Sequence, residues 1–265
     1  MSAYATIEVE REGGWATLWF DRPERRNALS GRLVEETLDA LARVRDDRSL
    51  RGLTFRGRGK VFSAGGDLKQ FLAHNQGGER EPVMETSREI AALLDAVAAQ
   101  PQVTVARVHG AAVAGGLGLM CACDHAMADA AATFALTETT LGLAPAQIAP
   151  FVIDRVGART ARRLMLSAAT LRGEAALEAG LVDAVAVSDA EMDAREEAFR
   201  DAVRRAAPGA VANLKALLRA LPGRSRAEQV ELAAASFADA LLSAEAREGI
   251  AAFFDRRAPT WAGDA

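Results

Sequence analysis

Val103-Thr104-Val105-Ala106-Arg107-Val108-His109-Gly110-Ala111-Ala112-Val113-Ala114-Gly115-Gly116-Leu117-Gly118-Leu119-Met120-Cys121-Ala122-Cys123 is the most informative run of the chain. Residues 103–109 are rich in β-branched side chains and predict a strand. Glycines follow at 110, 115, 116 and 118, and the run after them is compatible with a helix. A strand that turns through glycine into a helix aims backbone N–H groups outward, at the positive end of the helix dipole. Such a turn can hold an anion or a developing oxyanion. It is also what a tight turn needs on steric grounds alone. By itself the stretch leaves both readings open.

The flanks repeat the same rhythm. Residues 6–10 and 16–20 read as strands around Gly13-Gly14, a hairpin closed by Asp21-Arg22-Pro23. Ser30 predicts an N-cap, and Leu33, Thr37, Leu38, Leu41 and Val44 place a helix over 31–46. A strand over 52–55 leads to Gly65-Gly66-Asp67 and a short helix. Residues 74–81 read as a mobile polar loop, and 84–99 as a helix ending before Pro101. Strands are expected at 125–128 and 133–136. From Pro150 onward the pattern is helical, broken at Gly173, Gly180 and Pro208-Gly209. Strands alternating with helices define an α/β class, with residues 201–265 as a helical appendage to a core over 1–200.

Composition excludes several functions. The 265 residues are 50% hydrophobic and 26% charged, an ordinary globular balance. A net charge of -4 offers no broad basic surface for nucleic acid. Two cysteines make no disulfide framework and suit a reducing compartment. Glu8, Glu10 and Glu12 stand where a secretory signal would be apolar, and residues 111–123 are too few for a membrane span. A cytoplasmic protein without membrane or nucleic-acid partners is expected.

Five features are candidates for chemistry. Gly116-Leu117-Gly118 runs on to Cys121, where a dinucleotide fingerprint needs Gly or Ala. Gly57-Arg58-Gly59-Lys60 precedes Val61 and makes no P-loop. Cys121-Ala122-Cys123-Asp124-His125 holds ligand-type side chains, but not at zinc spacing, so no metal site is expected. Glu138 follows the apolar run Thr133-Phe134-Ala135-Leu136. A carboxylate in apolar surroundings suits general acid or base work; a charge at a helix N-terminus is the other reading. Arg22, Arg25, Arg26, Arg56, Arg58 and Lys60 are either phosphate ligands or solvated charges.

Together these segments resemble the enoyl-CoA hydratase/isomerase (crotonase) superfamily along nearly the whole chain. Arg22-Pro23-Glu24-Arg25-Arg26-Asn27-Ala28-Leu29 is similar to its early coenzyme-A-binding segment. Val61-Phe62-Ser63-Ala64-Gly65-Gly66-Asp67-Leu68 is similar to its first oxyanion motif, and Val108 to Asp124 to its second. Phe134 to Glu138, Leu141-Gly142-Leu143 and Pro145 resemble its catalytic glutamate segment. Gly173 to Val182 and Phe254 to Trp261 resemble its C-terminal signatures. The resemblance implies a spiral of strand–strand–helix units with a C-terminal helical region that makes trimers or hexamers. It implies an acyl-CoA thioester substrate and no cofactor beyond the substrate's own coenzyme A. The backbone N–H groups of Ala64 and Gly115 would form the oxyanion hole, with Glu138 catalytic. Arg25, Ala28, Ser63, Asp67, Leu68, Gly116 and Gln147 would bind the substrate or its coenzyme A. Lys69, Arg256 and Arg257 are further candidates for its phosphates.

One departure narrows the reading. The family's hydratases carry a first glutamate three residues after the second oxyanion glycine; here that position is Gly118. The usual Gly-Gly after the proline is also missing, and Ala144-Pro145-Ala146-Gln147-Ile148-Ala149-Pro150-Phe151 stands there. Both features resemble the branch that hydrates 3-methylglutaconyl-CoA or isohexenylglutaconyl-CoA. Hydration of such a substrate is the first expectation. A Δ3,Δ2-enoyl-CoA isomerase using Glu138 alone, or a non-catalytic acyl-CoA-binding protein, are the alternatives.

Overall fold

The computed structural model describes residues 4–74 and 77–262. The hairpin forms from β1 (Ile7–Glu12) and β2 (Trp15–Phe20), and Asp21 leaves it by donating its N–H to Thr6 O. Ser30 Oγ accepts from Leu33 N at 3.3 Å and starts α1 (Gly31–Asp46) as expected. Leu33, Val34, Leu41 and Val44 form its buried face. The chain then runs through β3 (Gly52–Gly57), α2 (Leu68–His74), α3 (Arg80–Ala98) and β4 (Val103–Val108).

The loop expected over 74–81 is shorter than predicted. Asn75 and Gln76 lie outside the described residues, but α2 extends to His74 and α3 begins at Arg80. Pro82 does not prevent this, because a first-turn residue needs no N–H for the helix ladder. Arg88 pairs with Glu81 at 2.8 Å and with Glu85 at 2.9 Å across these opening turns.

The apolar run after β4 divides into β5 (Ala111–Val113) and α4 (Gly115–Ala122). Next come β6 (His125–Asp129), β7 (Thr133–Ala135) and α5 (Ala149–Ser167). The purely helical reading beyond Pro150 is corrected at two places. β8 (Leu171–Arg172) and β9 (Ala184–Ala186) are strands too short to show a period. Gly173 begins α6 (Gly173–Glu178) rather than ending a helix. The rest is helical, with α7 (Asp189–Arg205), α8 (Pro208–Ala220), α9 (Arg226–Leu241) and α10 (Ala244–Asp255). The division after residue 200 falls inside α7, so the layer boundary moves to residues 206–207.

Six strands pair in the order β1-β2-β3-β4-β6-β9, parallel except for the first pair. A smaller sheet orders β5-β7-β8. Isolated bridges, Leu29 to Gly66 and Ser63 to Ala112, continue that second layer. Each turn of chain therefore gives one strand to the large sheet, one extended piece to the small layer, and then a helix. The central strand β4 is buried at all six positions, as a parallel strand covered on both faces must be. Its two polar exceptions are satisfied. Thr104 meets Asp124, and Arg107 meets Glu196 at 3.0 Å and Asp193. The main core holds Phe20, Phe55, Phe62 and Phe134; a smaller one of Trp15, Val105, Met127 and Met192 lies under α7.

Two cations of long reach tie the C-terminal part of the chain to the core. Arg51 donates to the carbonyls of Val203, Arg204, Ala206 and Trp261. Lys215 on α8 donates to Gln102 O at 2.8 Å and pairs with Asp124. Among the described residues no helix is long and apolar enough to cross a membrane.

Candidate active site

Four extended pieces of the second layer end at one cavity of about 620 Å³. Leu29, Ala64, Gly66, Ala114, Gly115 and Glu138 face it from the spiral. α2 and α3 supply Leu68, Phe71, Ser87 and Ile90 from the other side. The turn before α5 closes it with Leu143, Gln147 and Ile148.

The backbone N–H groups expected to be free at the cavity differ at one residue. Ala64 lines the cavity, but its N–H donates to Arg26 O at 2.9 Å and is already spent. Gly66, two residues on, has no backbone acceptor for its N–H among the described residues, and neither has Gly115. The two are adjacent, since a Cβ built on Gly115 would lie 3.6 Å from the Gly66 nitrogen. Ala64 is thus replaced by Gly66 as the partner of Gly115. Ala114 holds a left-handed φ of 49° at the N-cap of α4, and its N–H donates to Ala135 O at 2.9 Å. An unfavourable backbone conformation fixed by neighbouring pairing is common where a site is built.

Glu138 opens a short helical turn, Glu138–Leu141, directly after β7 and Thr137. Its Oε2 is buried with no hydrogen-bond partner among the described residues. Burial raises the carboxyl pKa above its ordinary value, and the residue's own N–H offsets this only in part. A carboxylate with a free, desolvated oxygen can take and return a proton.

Gly118 answers what occupies the place of the absent carboxylate. A Cβ there would stand 2.2 Å from Ile148 Cγ2 and 2.6 Å from its Cβ. Ile148 is buried and lines the cavity. An aliphatic side chain, not a second acid, fills that space.

The other predicted residues separate into groups. Leu68 and Gln147 line the cavity, and Gln147 Nε2 donates to Ser87 Oγ at 2.9 Å. Ser63 is fully buried and donates to Asn27 O at 2.8 Å, so its hydroxyl is not available to a substrate. Gly116 packs on Ser63, where a Cβ would come within 2.7 Å of the serine Cβ; it serves close approach rather than contact with substrate. Asp67 caps α2 through Gln70 N at 3.3 Å and pairs with Arg22 at 3.2 Å. Arg22 also donates to Ala28 O at 2.7 Å. Ala28 is half-buried and Arg25 exposed, and neither lines the cavity.

Among the cations, Arg58 is committed to Glu8 and Glu10, and Arg56 lies 4.2 Å over the Trp19 ring. Arg25, Arg26, Lys60 and Lys69 are exposed with no ion pair among the described residues. Arg257 pairs with Glu248, and Arg256 ends α10. The cysteines are buried, and burial pushes the Cys121 thiol up to about 12. His125 stacks on Phe199 at 4.1 Å.

Sequence reasoning missed Gly66, Ser87 and Ile148. Gly66 had a signal, being the second member of a glycine pair. Ser87 lies on an otherwise polar helix turn, and Ile148 reads as ordinary core.

This geometry has close counterparts. Residues 10–264 match the profile of the Enoyl-CoA hydratase/isomerase family, so the chain belongs to that family. A crystal structure of an enoyl-CoA hydratase/isomerase from Marinobacter aquaeolei superposes with a TM-score of 0.92 at 36% identity. It covers 97% of this chain and 99% of that one. The Pseudomonas aeruginosa protein AtuE gives 0.93 at 42% identity, covering 97% and 100%. Enoyl-CoA hydratase AKT6-1 of Alternaria alternata is 34% identical over 80% of this chain and 69% of its own length.

Proposed function

We propose that the chain is an enoyl-CoA hydratase that works with one carboxylate. The observation that carries this is the meeting of a free Glu138 oxygen with two unspent backbone N–H groups at one cavity. The thioester oxygen would accept from Gly66 and Gly115. These donors stabilise the charge of an enolate more than that of the ground state. Glu138 removes a proton from water as the water oxygen bonds to the β-carbon. The π electrons move to the thioester oxygen. Glu138 then returns the proton to the α-carbon, and the enolate collapses to the hydrated thioester.

Within that activity we propose a branched, glutaconyl-type acyl group. Its second carboxylate would accept from the Ser87 hydroxyl of α3 and from the Gln147 amide on the turn before α5, which meet across the cavity. No lysine or arginine is among the described residues lining the cavity, so recognition would run through hydrogen bonds rather than an ion pair. The coenzyme A phosphates would fall to Arg25, Arg26, Lys60 and Lys69. An isomerase is the second reading, favoured by the same lone acid, because removing and returning one proton at two carbons needs only Glu138.

Product mass separates the readings. Purified protein is incubated with crotonyl-, 3-methylcrotonyl-, 3-methylglutaconyl- and 3-enoyl-CoA. A product heavier by one water, strongest with the glutaconyl thioester, is expected. Unchanged mass from the 3-enoyl thioester would identify an isomerase. Glu138→Gln is expected to lower turnover by about 10²–10⁴ while still binding saturated acyl-CoA. Full turnover in that variant would overturn the role of Glu138.

A further inference from the structure

One buried side chain outside the cavity organises the backbone that carries the Gly66 donor. Asn27 is fully buried and does not line the cavity. Both polar atoms of its amide are used. Oδ1 accepts from Arg22 N at 3.0 Å, and Nδ2 donates to Arg58 O at 2.9 Å and to Val61 O at 2.8 Å. Arg26 and Asn27 stand together in the left-handed region, with φ of 52° and 53°. Two successive residues with side chains keep that conformation only where surrounding bonds fix it. The three amide bonds of Asn27 do so.

This bend determines which N–H of the neighbouring loop stays free. It brings Arg26 O to Ala64 N at 2.9 Å and spends that donor. It brings Asn27 O to the Ser63 hydroxyl at 2.8 Å, and the same Oγ accepts from Gly65 N at 3.2 Å. Past the bend, Leu29 donates to Gly65 O at 2.7 Å and accepts from Asp67 N at 3.2 Å. These two bonds flank Gly66 in a parallel bridge. Successive N–H groups of an extended chain point to opposite sides, so Gly66 turns its own away from Leu29. Phe62 and Ser63 donate to His109 O and Ala111 O. From residue 62 to residue 67, only Gly66 has an N–H with no acceptor among the described residues.

We infer that Asn27 is a positioning residue for the reaction. It holds residues 26–29 in the bend that spends the N–H groups of Ala64 and Gly65 and leaves that of Gly66 for the thioester oxygen. The inference rests on the reading of Gly66 and Gly115 as donors to that oxygen. It adds a buried amide, away from the reacting atoms, that sets where one donor stands. Such a residue acts on turnover more than on binding, because the donors matter most as charge develops.

Asn27→Gly is the direct test, since glycine takes a left-handed φ without steric cost and only the amide is lost. Circular dichroism checks the fold. Kinetics use whichever enoyl thioester the parent converts. A kcat lower by about 10- to 100-fold is expected, with KM within about threefold, because a displaced donor forfeits part of what a missing one does. The second readout needs no turnover. It is the infrared carbonyl band of bound butyryl-CoA, isotope-labelled at the thioester carbonyl. In the parent, donation from two N–H groups is expected to lower this band relative to the free thioester. The variant is expected to lose about half of that displacement, as when one of two donors is withdrawn.

A folded Asn27→Gly with full kcat and full band displacement would overturn the inference and leave the donor pair standing. A raised KM at unchanged kcat would also overturn it, making the segment a binding element only. If Asn27→Gly does not fold, Ser63→Ala decides, since it removes only the hydroxyl that links Asn27 O to Gly65 N. A kcat lower by about 3- to 10-fold and a smaller displacement are expected there, and no change in either would refute the role of Asn27. A parent whose bound thioester shows no displacement would refute the Gly66–Gly115 reading itself, and this inference with it.

Discussion

Glu138 concentrates the chemistry in one titrating group, and the sign of its pKa shift makes two outcomes testable. As a base it must be ionised. Because burial raises its pKa, the acid limb of the pH–rate profile is expected above the ordinary glutamate range, and absent in Glu138→Gln. Stability follows the same linkage. A carboxyl that holds its proton more tightly when folded destabilises the fold fully above its folded pKa, and not at all below its unfolded one. Glu138→Gln is therefore expected to melt higher than the parent at pH 7–8, with the gain vanishing as pH falls through the raised pKa. Equal melting temperatures across that range would refute the burial argument. Gly118 gives a second residue-scale test. Gly118→Ala drives a methyl into Ile148 and is expected to cost about 1–3 kcal/mol. With Ile148→Ala already present, the same change should stabilise, since alanine is the better helix former by about 1 kcal/mol. Thermal or urea unfolding of the four proteins measures the reversal.

Between elements, the bond from Gln147 Nε2 to Ser87 Oγ joins α3 to the turn before α5 across the cavity. Ser87→Ala is expected to raise KM for a glutaconyl thioester about 2- to 10-fold, the range of one ordinary hydrogen bond, with little change in kcat. Steady-state kinetics would show an equal fall in kcat if the pair instead orients the water. This is also the scale at which the sequence was most and least legible. α1 was readable to the residue, because Ser30 and a repeat of buried aliphatics act locally. The donor at Gly66 was not. Whether the N–H of Ala64 is free depends on Arg26 O, which belongs to a segment brought alongside only by the fold. Ile148 was equally hidden, since its function lies in a contact with Gly118, 30 positions away in the chain. β8 and β9 were missed because two or three residues display no alternation.

Over the whole molecule, the C-terminal helices carry apolar surface that the single chain leaves uncovered. Leu214, Leu218, Phe237, Leu242, Phe253 and Phe254 are all exposed on α8, α9, α10 and the turn between the last two. Exposed apolar side chains of this size suit an interface, and the trimer or hexamer expected of the family is the proposed assembly. Light scattering is expected to give three or six times the 28.0 kDa of one chain. Phe253→Asp/Phe254→Asp should shift that mass toward the monomer, and an unchanged mass would place the interface elsewhere. The seat of Ile148 beside Gly118 also limits what can be built there. One substitution does not make a two-acid site here, because any side chain at 118 first meets an occupied space. The isoleucine must shrink before an acid can fit, and the intermediate with a hole in its core gains no chemistry. A second acid at this position thus takes two changes, not one, a gate set by a single methyl-bearing branch.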